Sequence, residues 1–232
     1  MSKFKEYLKD FIALIYPEVC GVCDNVLHSH ERYFCLDCII KLPRTNYHQF
    51  PDNPIEKSFW GKFKIEKAAA FLFFQRGEKV QHLIHQLKYG GRKEIGYEIG
   101  KEYGKELLKS SVFSNVDVIV PIPLHRMKKK SRGYNQSEMF AKGLAEVMKI
   151  ETDFDSVERV AYTETQTKKK RFARFSNVES IFKVVKPERL EGKHILLVDD
   201  VITTGATIGS CAAPLLEVKD VRVSIAGIAY RD

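Results

Sequence analysis

Toward the end of the chain four apolar residues, Ile195, Leu196, Leu197 and Val198, run straight into two adjacent carboxylates, Asp199 and Asp200. Val201-Ile202-Thr203-Thr204-Gly205-Ala206-Thr207 follows. Thr203, Thr204, Gly205, Ala206 and Thr207 read as the opening of a helix, where backbone N–H groups and hydroxyls can surround a phosphate. Gly205 permits a close backbone approach that a side chain would block. Asp199 and Asp200 accept hydrogen bonds and cannot themselves hold phosphate. They suit a polyhydroxyl such as ribose, which offers them two O–H donors. A phosphate cradle beside a ribose clamp is a site for a ribose 5-phosphate.

Two basic stretches accompany it. In Pro121–Gln136, five of the seven residues 126–132 are basic and none is acidic. Unpaired cations gathered at a strand end suit a pyrophosphate, whose charge needs several donors. A second run, again five in seven, lies at Lys168–Arg174. A lone run of this kind usually marks a solvated face; two beside a phosphate loop point to function. The whole chain carries 38 Lys and Arg against 30 Asp and Glu, a net +8. Residues 1–60 hold 7 basic against 8 acidic and residues 61–232 hold 31 against 22, so the excess sits wholly in the larger part. An anionic partner is expected there, either phosphates or a nucleic-acid backbone.

Cys20, Cys23, Cys35 and Cys38 form the pattern C-x2-C-x11-C-x2-C, with Cys211 far away. Two close thiol pairs across a short spacer suit tetrahedral Zn2+, in a closed site that is structural and not catalytic. Two disulfides are the alternative, disfavoured because no export leader is expected and the chain is long enough to bury a core without staples. His28 and His30 lie between the pairs and read as surface residues, since four thiolates already fill the shell.

These groups need elements to position them. Hydrophobic residues at 44% and charged residues at 29% describe an ordinary globular chain, excluding disorder, collagen and disulfide scaffolds. The longest apolar runs fall well short of the ~20 residues of a membrane span. Phe4, Tyr7, Leu8, Phe11, Ile12 and Ile15 recur at helical spacing up to Pro17, predicting an amphipathic helix that docks on the cysteine unit. Thr45–Ser58, polar and holding Pro51 and Pro54, reads as a linker. Strands are predicted at Ala68–Phe74, Val116–Val120, Arg159–Tyr162, His194–Val198 and Val221–Tyr230. Helices are predicted at Val80–Lys88, Ile95–Leu108 and Gln136–Met148. This alternation predicts an α/β fold with a mostly parallel sheet flanked by helices, after a small zinc-binding unit. The division falls at 1–58 and 59–232. Ligands of such sheets bind where loops leave the carboxyl ends of strands, here after Val120, Tyr162 and Val198.

The strand, acid pair and T-T-G-x-T loop resemble the signature of type I phosphoribosyltransferases, which bind 5-phosphoribosyl 1-pyrophosphate (PRPP). A buried strand with a capped helix would use similar residues, but a match this long is specific. The paired CxxC motifs, Leu87-Lys88-Tyr89-Gly90, P-I-P-L-H-R…R-G-Y-N-Q-S, Q-T…R…N-V and the PRPP loop occur in order over nearly the whole chain. In this the sequence resembles the ComF/GntX family of competence-associated phosphoribosyltransferase-like proteins. The resemblance implies a pyrophosphate loop at Pro121–Gln136, with Pro123, Leu124, His125, Arg126 and Arg132 as its binding residues. It implies a mobile loop at Thr163–Asn177, carrying Gln166, Arg171, Arg174 and Asn177. It also implies Mg2+ bound with PRPP, a cytoplasmic role with incoming single-stranded DNA, and partners in the competence machinery. Two departures stand out. Lys168 occupies a position where the family often has glycine, which stiffens the mobile loop, and Pro214 should kink or end the helix after the PRPP loop.

Two functions are then expected of the larger domain. As an enzyme it would let a nucleophile displace pyrophosphate from C1′, with Asp199 and Asp200 holding the ribose as cationic character develops. The acceptor is not readable, so nucleotide salvage unconnected with competence stands beside the competence role. As a non-catalytic binder it would track single-stranded DNA, with Tyr134, Phe172 and Phe175 interleaved among cations.

Overall fold

The computed structural model describes residues 16–75, 78–160 and 181–231. Two nine-residue strands, β6 (His194–Ile202) and β7 (Arg222–Tyr230), are apolar over most of their length and must be covered on both faces. Along β6 alternate side chains serve opposite cores: Leu196 and Val198 face one, Ile195 and Leu197 the other. The shorter strands are β1 (Ala68–Phe73), β2 (Val118–Pro121) and β3 (Glu151–Thr152). Together they form a five-stranded sheet in the order β1-β7-β6-β2-β3, with every neighbouring pair parallel. Parallel strands put all their carboxyl ends on one edge, where Phe74, Ile122, Thr203 and Arg231 leave the sheet.

The first core is built by the helices α3 (Lys79–Tyr89), α4 (Glu94–Leu107) and α6 (Gln136–Met148). Cys20, Val22, Phe34 and Cys38 belong to this same core, so the cysteine unit packs directly on the sheet domain. The short α1 (Leu36–Lys41) carries Cys38. The other face is covered by α7 (Ala206–Leu216), by Ile55 of α2 (Pro54–Lys57) and by Phe59 just after it. At Gly100 and Gly143 the backbones of α4 and α6 meet directly: a Cβ on Gly100 would strike the Phe140 carbonyl, and one on Gly143 the Tyr97 carbonyl.

Several expectations need correction. Thr45–Ser58 is no free linker: Asn53 caps α2, its Nδ2 bonds the Ala68 carbonyl at 2.9 Å, and Thr45 N donates to Phe71 O at 3.0 Å. His48, Asn53 and Glu56 are buried, and Asn53 and Glu56 bond the backbone of Ala68 at the start of β1. The strand expected to end at Val198 continues to Ile202, so Asp199 and Asp200 lie on β6 and not in a loop; β7 pairs with it as far as Ile202↔Tyr230. The segment 126–132, expected as loop, is a short helix, α5 (Arg126–Arg132), with the His125 side chain accepting from Met127 N at 3.3 Å. Its cations are not all unpaired, because Lys129 meets Glu138 at 2.8 Å. α7 continues two residues past Pro214 to Leu216, so the proline does not end the helix where it stands; in the last turn it removes one N–H bond close to where the helix stops. β4 (Val157–Arg159) pairs antiparallel with β5 (Phe182–Val184) in a separate two-stranded sheet. The predicted helix before Pro17 and the loop with Gln166, Arg171, Arg174 and Asn177 lie outside the described residues.

Candidate functional site

The carboxyl edge of the sheet holds a cleft of about 410 Å³. One wall is the end of β6 and the start of α7, with Asp199, Asp200, Thr203 and Thr207. The opposite wall is the last turns of α3, with Ile84, His85, Lys88 and Tyr89. Phe74 and Arg231, one residue past β1 and β7, complete the lining. Thr204 lines an adjoining hollow with Thr203, Tyr230 and Arg231.

Gly205, which precedes α7, has φ +72° and would place a Cβ 2.6 Å from the Phe59 ring. Both facts require glycine. After the turn that Gly205 makes, the first N–H of α7, from Ala206, reaches back to Thr204 Oγ1 at 3.4 Å.

The two carboxylates are balanced by different partners. Lys88 Nζ lies 2.9 Å from Asp200 Oδ1, drawing the end of α3 over the strand. Ser137 Oγ donates to Asp199 Oδ1 at 3.0 Å, and the Asp200 N–H reaches the same oxygen at 2.9 Å. Ser137 stands there because Asn135 caps α6, accepting from Ser137 N at 3.1 Å and donating to Ile122 O at 3.0 Å. Burial first, and the charge of Asp200 second, push the Asp199 carboxyl up to about 7; its hydrogen bonds and Lys88 oppose the rise.

Of the residues expected to take pyrophosphate, Arg132 is fixed next to the cleft. Gln136 Oε1 accepts from Arg132 Nη1 at 2.7 Å, and the guanidinium lies 5.1 Å from the centroid of the Tyr89 ring. Tyr134 donates its hydroxyl to the Leu87 carbonyl, clasping the same segment to α3. Pro123, Leu124 and His125 join β2 to α5, which Arg126 opens, and none of the four is among the residues lining the cleft.

Lys88, Tyr89, His85, Ser137 and Arg231 were assigned no role from sequence. Lys88 and Tyr89 had a signal in Leu87-Lys88-Tyr89-Gly90; Arg231 had one in closing a buried strand. Ser137 had one as the last residue of R-G-Y-N-Q-S.

Some distance along the first core, the Sγ atoms of Cys20, Cys23, Cys35 and Cys38 all lie within 4.8 Å of one another. All four are free thiols, and Cys23 and Cys35 Sγ are 3.8 Å apart. A tetrahedron of Zn–S bonds near 2.3 Å sets its sulfurs about 3.8 Å apart. Val22 and Cys35 N–H groups point at Cys20 Sγ, at 3.5 and 3.3 Å, as donors do toward a thiolate. The cluster could hold a metal ion such as zinc. His28 and His30 are exposed and outside it.

Residues 134–231 match the phosphoribosyl transferase domain. The DNA utilization protein YhgH of Escherichia coli strain K12 is 28% identical over 209 residues, covering 88% of this chain and 87% of that protein. Competence protein F of Haemophilus influenzae is 30% identical over 114 residues, 49% of this chain and 50% of its own. Competence protein ComFC of Bacillus subtilis is 38% identical over 113 residues, 47% of this chain and 44% of its own. Among the described residues no helix is long and apolar enough to cross a membrane.

The raised pKa of Asp199 has a measurable sign. A carboxyl that binds its proton more tightly when folded loses stability as pH climbs from about 4, and the full loss stands above about 7. Asp199→Asn should therefore raise the unfolding midpoint at pH 8, by about 2–4 °C for each kcal/mol relieved, and leave it nearly unchanged at pH 4. Thermal melts followed by circular dichroism at the two pH values decide it; an equal effect at both would show that Asp199 is not held near neutrality.

Proposed function

We propose that this chain, which carries a phosphoribosyl transferase domain and is related to competence proteins, binds PRPP at the Asp199–Thr207 wall and works in the cytoplasm on incoming DNA. The observation that carries the reading is the geometry of β6 and α7: two adjacent carboxylates followed within one turn by a glycine-opened helix N-terminus. Asp199 and Asp200 accept the ribose hydroxyls, and Thr203–Thr207 take the 5′-phosphate through N–H groups and hydroxyls. Arg132 holds the pyrophosphate. The Gln136 Nε2 beside it is buried and has no partner among the described residues, leaving a donor for the same anion.

The carboxylate oxygens at the cleft are hard donors of the type Mg2+ accepts. Bound with PRPP, Mg2+ supplies neutralisation of the departing pyrophosphate. The chain's own part is to hold the sugar while positive charge grows at C1′, which the Asp199 and Asp200 charges favour. Ribose hydroxyls donating to Asp199 stabilise its ionised form, so binding should displace its proton. A nucleophile can then take the place of pyrophosphate on C1′.

A second reading has an observation of its own: Lys128 and Lys130 on α5 are exposed beside Arg132 and suit a single-stranded DNA backbone. We place the zinc-bearing unit within residues 1–58 and the transferase-like domain in 59–232, with Thr45–Ser58 packed on β1 of the second. Zn2+ held by Cys20, Cys23, Cys35 and Cys38 fastens the first to the second.

Protein purified without chelator should contain one zinc per chain, and Cys35→Ser should lose it together with the local fold, because metal binding supplies much of the folding energy of so small a unit. Metal analysis finding none would remove the zinc assignment. In calorimetric titrations Asp199→Asn combined with Asp200→Asn should weaken PRPP binding by about 2–4 kcal/mol, since charged hydrogen bonds contribute roughly 1.5–3 each without adding fully. Unchanged affinity would place the ribose elsewhere. Pyrophosphate release with a panel of bases, amines and DNA tests turnover. For the DNA reading, affinity for single strands should fall with salt at a log–log slope of about −0.7 per phosphate contacted, and Lys128→Gln should reduce it by about that amount. An unchanged slope would take α5 out of the DNA path.

A further inference from the structure

We propose that the turn between α2 and β1, residues 57–66, is a binding surface for single-stranded DNA, in which bases stack on Trp60. The inference rests on the DNA reading above and gives that partner a surface to which α5 does not belong.

Lys57-Ser58-Phe59-Trp60-Gly61-Lys62-Phe63-Lys64 holds three aromatic rings, three lysines and no acid. The fold sorts them. Phe59 is buried and Phe63 half-buried, with their ring centroids 5.2 Å apart. Both anchor the segment to the start of α7: a Cβ on Gly205 would lie 2.6 Å from the Phe59 ring, and one on Gly209 2.9 Å from the Phe63 ring. Between them the chain turns, with Trp60 N donating to Lys57 O at 3.2 Å, Lys62 N to Phe59 O at 3.0 Å, and Gly61 at φ +73°. That turn leaves Lys57, Trp60, Lys62 and Lys64 exposed.

Trp60 is the chain's one tryptophan and is 59% exposed, so its ring does little for the core. Lys57 Nζ lies 5.9 Å from its centroid, and Lys62 Nζ donates to the Ser58 carbonyl at 2.7 Å. Among the described residues neither they nor Lys64 forms an ion pair with a carboxylate. Beside the ring lies a hollow of about 560 Å³, reached by Phe63 and Ile65 and by the carboxylates of Asp52, Glu56 and Glu66. Glu56 is occupied by backbone donors, Asp52 N at 2.7 Å and Ala68 N at 3.3 Å. Asp52 and Glu66 repel a phosphate but can accept the amino hydrogens of a base. Bases therefore point into the hollow and stack on Trp60, while the phosphates run outside along Lys57, Lys62 and Lys64. A protein partner would call for a wider bare apolar patch; a stacking ring among unpaired cations is what a single strand needs.

A single tryptophan reports on its own contact. Titrating the full chain with oligodeoxycytidylate should quench the Trp60 emission in step with the anisotropy of the labelled strand. Trp60→Ala, a change at an exposed position that leaves the fold intact, should weaken binding about tenfold, the scale of one stacked base, and Trp60→Phe should keep most of it. Lys57→Gln and Lys64→Gln should each lower the log–log salt slope by about 0.7. Oligothymidylate, whose bases carry no amino group, should bind more weakly than oligodeoxycytidylate; the reverse order would overturn the seating of bases in the hollow. A strand that binds with unchanged emission, and equally well to Trp60→Ala, would overturn the proposal and leave the DNA to α5. Emission that shifts with protein concentration alone, with dimers lost in Trp60→Ala, would give the surface to a second copy of the chain instead. Failure of either strand to bind at all would overturn the DNA reading itself, and this surface with it.

Discussion

Two carboxylates on consecutive residues of a half-buried strand repel each other, and the surrounding structure is arranged to tolerate them. Asp200 receives a full countercharge from Lys88 at 2.9 Å. Asp199 receives neutral donors, Ser137 and a backbone N–H, and keeps a proton well above the ordinary carboxylate range. Each solution recruits a helix: Lys88 draws in the end of α3, and Ser137 needs the capped start of α6. Charge balance at one point thus decides which elements wall the cleft.

α3 is loaded from both ends. Its first turns hold the cysteine unit, with Lys79 Nζ 3.8 Å from Cys38 Sγ and His82 3.1 Å from the Asp24 carboxylate. Its last turns present His85, Lys88 and Tyr89 to the cleft. Just beyond it Arg92 donates to the Val19 carbonyl at 2.7 Å. A small four-thiol unit with little core of its own thereby gains a buttress, and the helix facing the ligand gains a fixed base.

The parts of this arrangement that were legible in the sequence share a property: they are local. The apolar run of β6, the helix Gln136–Met148 and the spacing of the cysteines are written in neighbouring residues, and periodicity recovers them. The acid pair and T-T-G-x-T loop were legible because strand, carboxylates and helix start are contiguous. What escaped depends on partners distant in sequence. Asp199 and Asp200 seemed to lie in a loop because two charges rarely sit inside a buried strand; pairing to β7 carries the strand past them. Polar Thr45–Ser58 resembled a linker because its hydrogen bonds go to Ala68 and Phe71 of β1, which local composition cannot reveal. Lys88 and Ser137 reach the acids across 112 and 62 positions; each stands in a motif, but neither motif names the carboxylate it meets.

The bare glycine contact between α4 and α6 gives the site a datum. Where side chains separate two helices, a change of rotamer or volume can shift one against the other by a fraction of an ångström. Backbone resting on backbone at Gly100 and Gly143 has no such slack. The start of α6, and with it the hydroxyl of Ser137, is therefore gauged from a surface that repacking elsewhere in the core leaves untouched. The residues lining the cleft can change while the height of the hydroxyl above Asp199 stays constant.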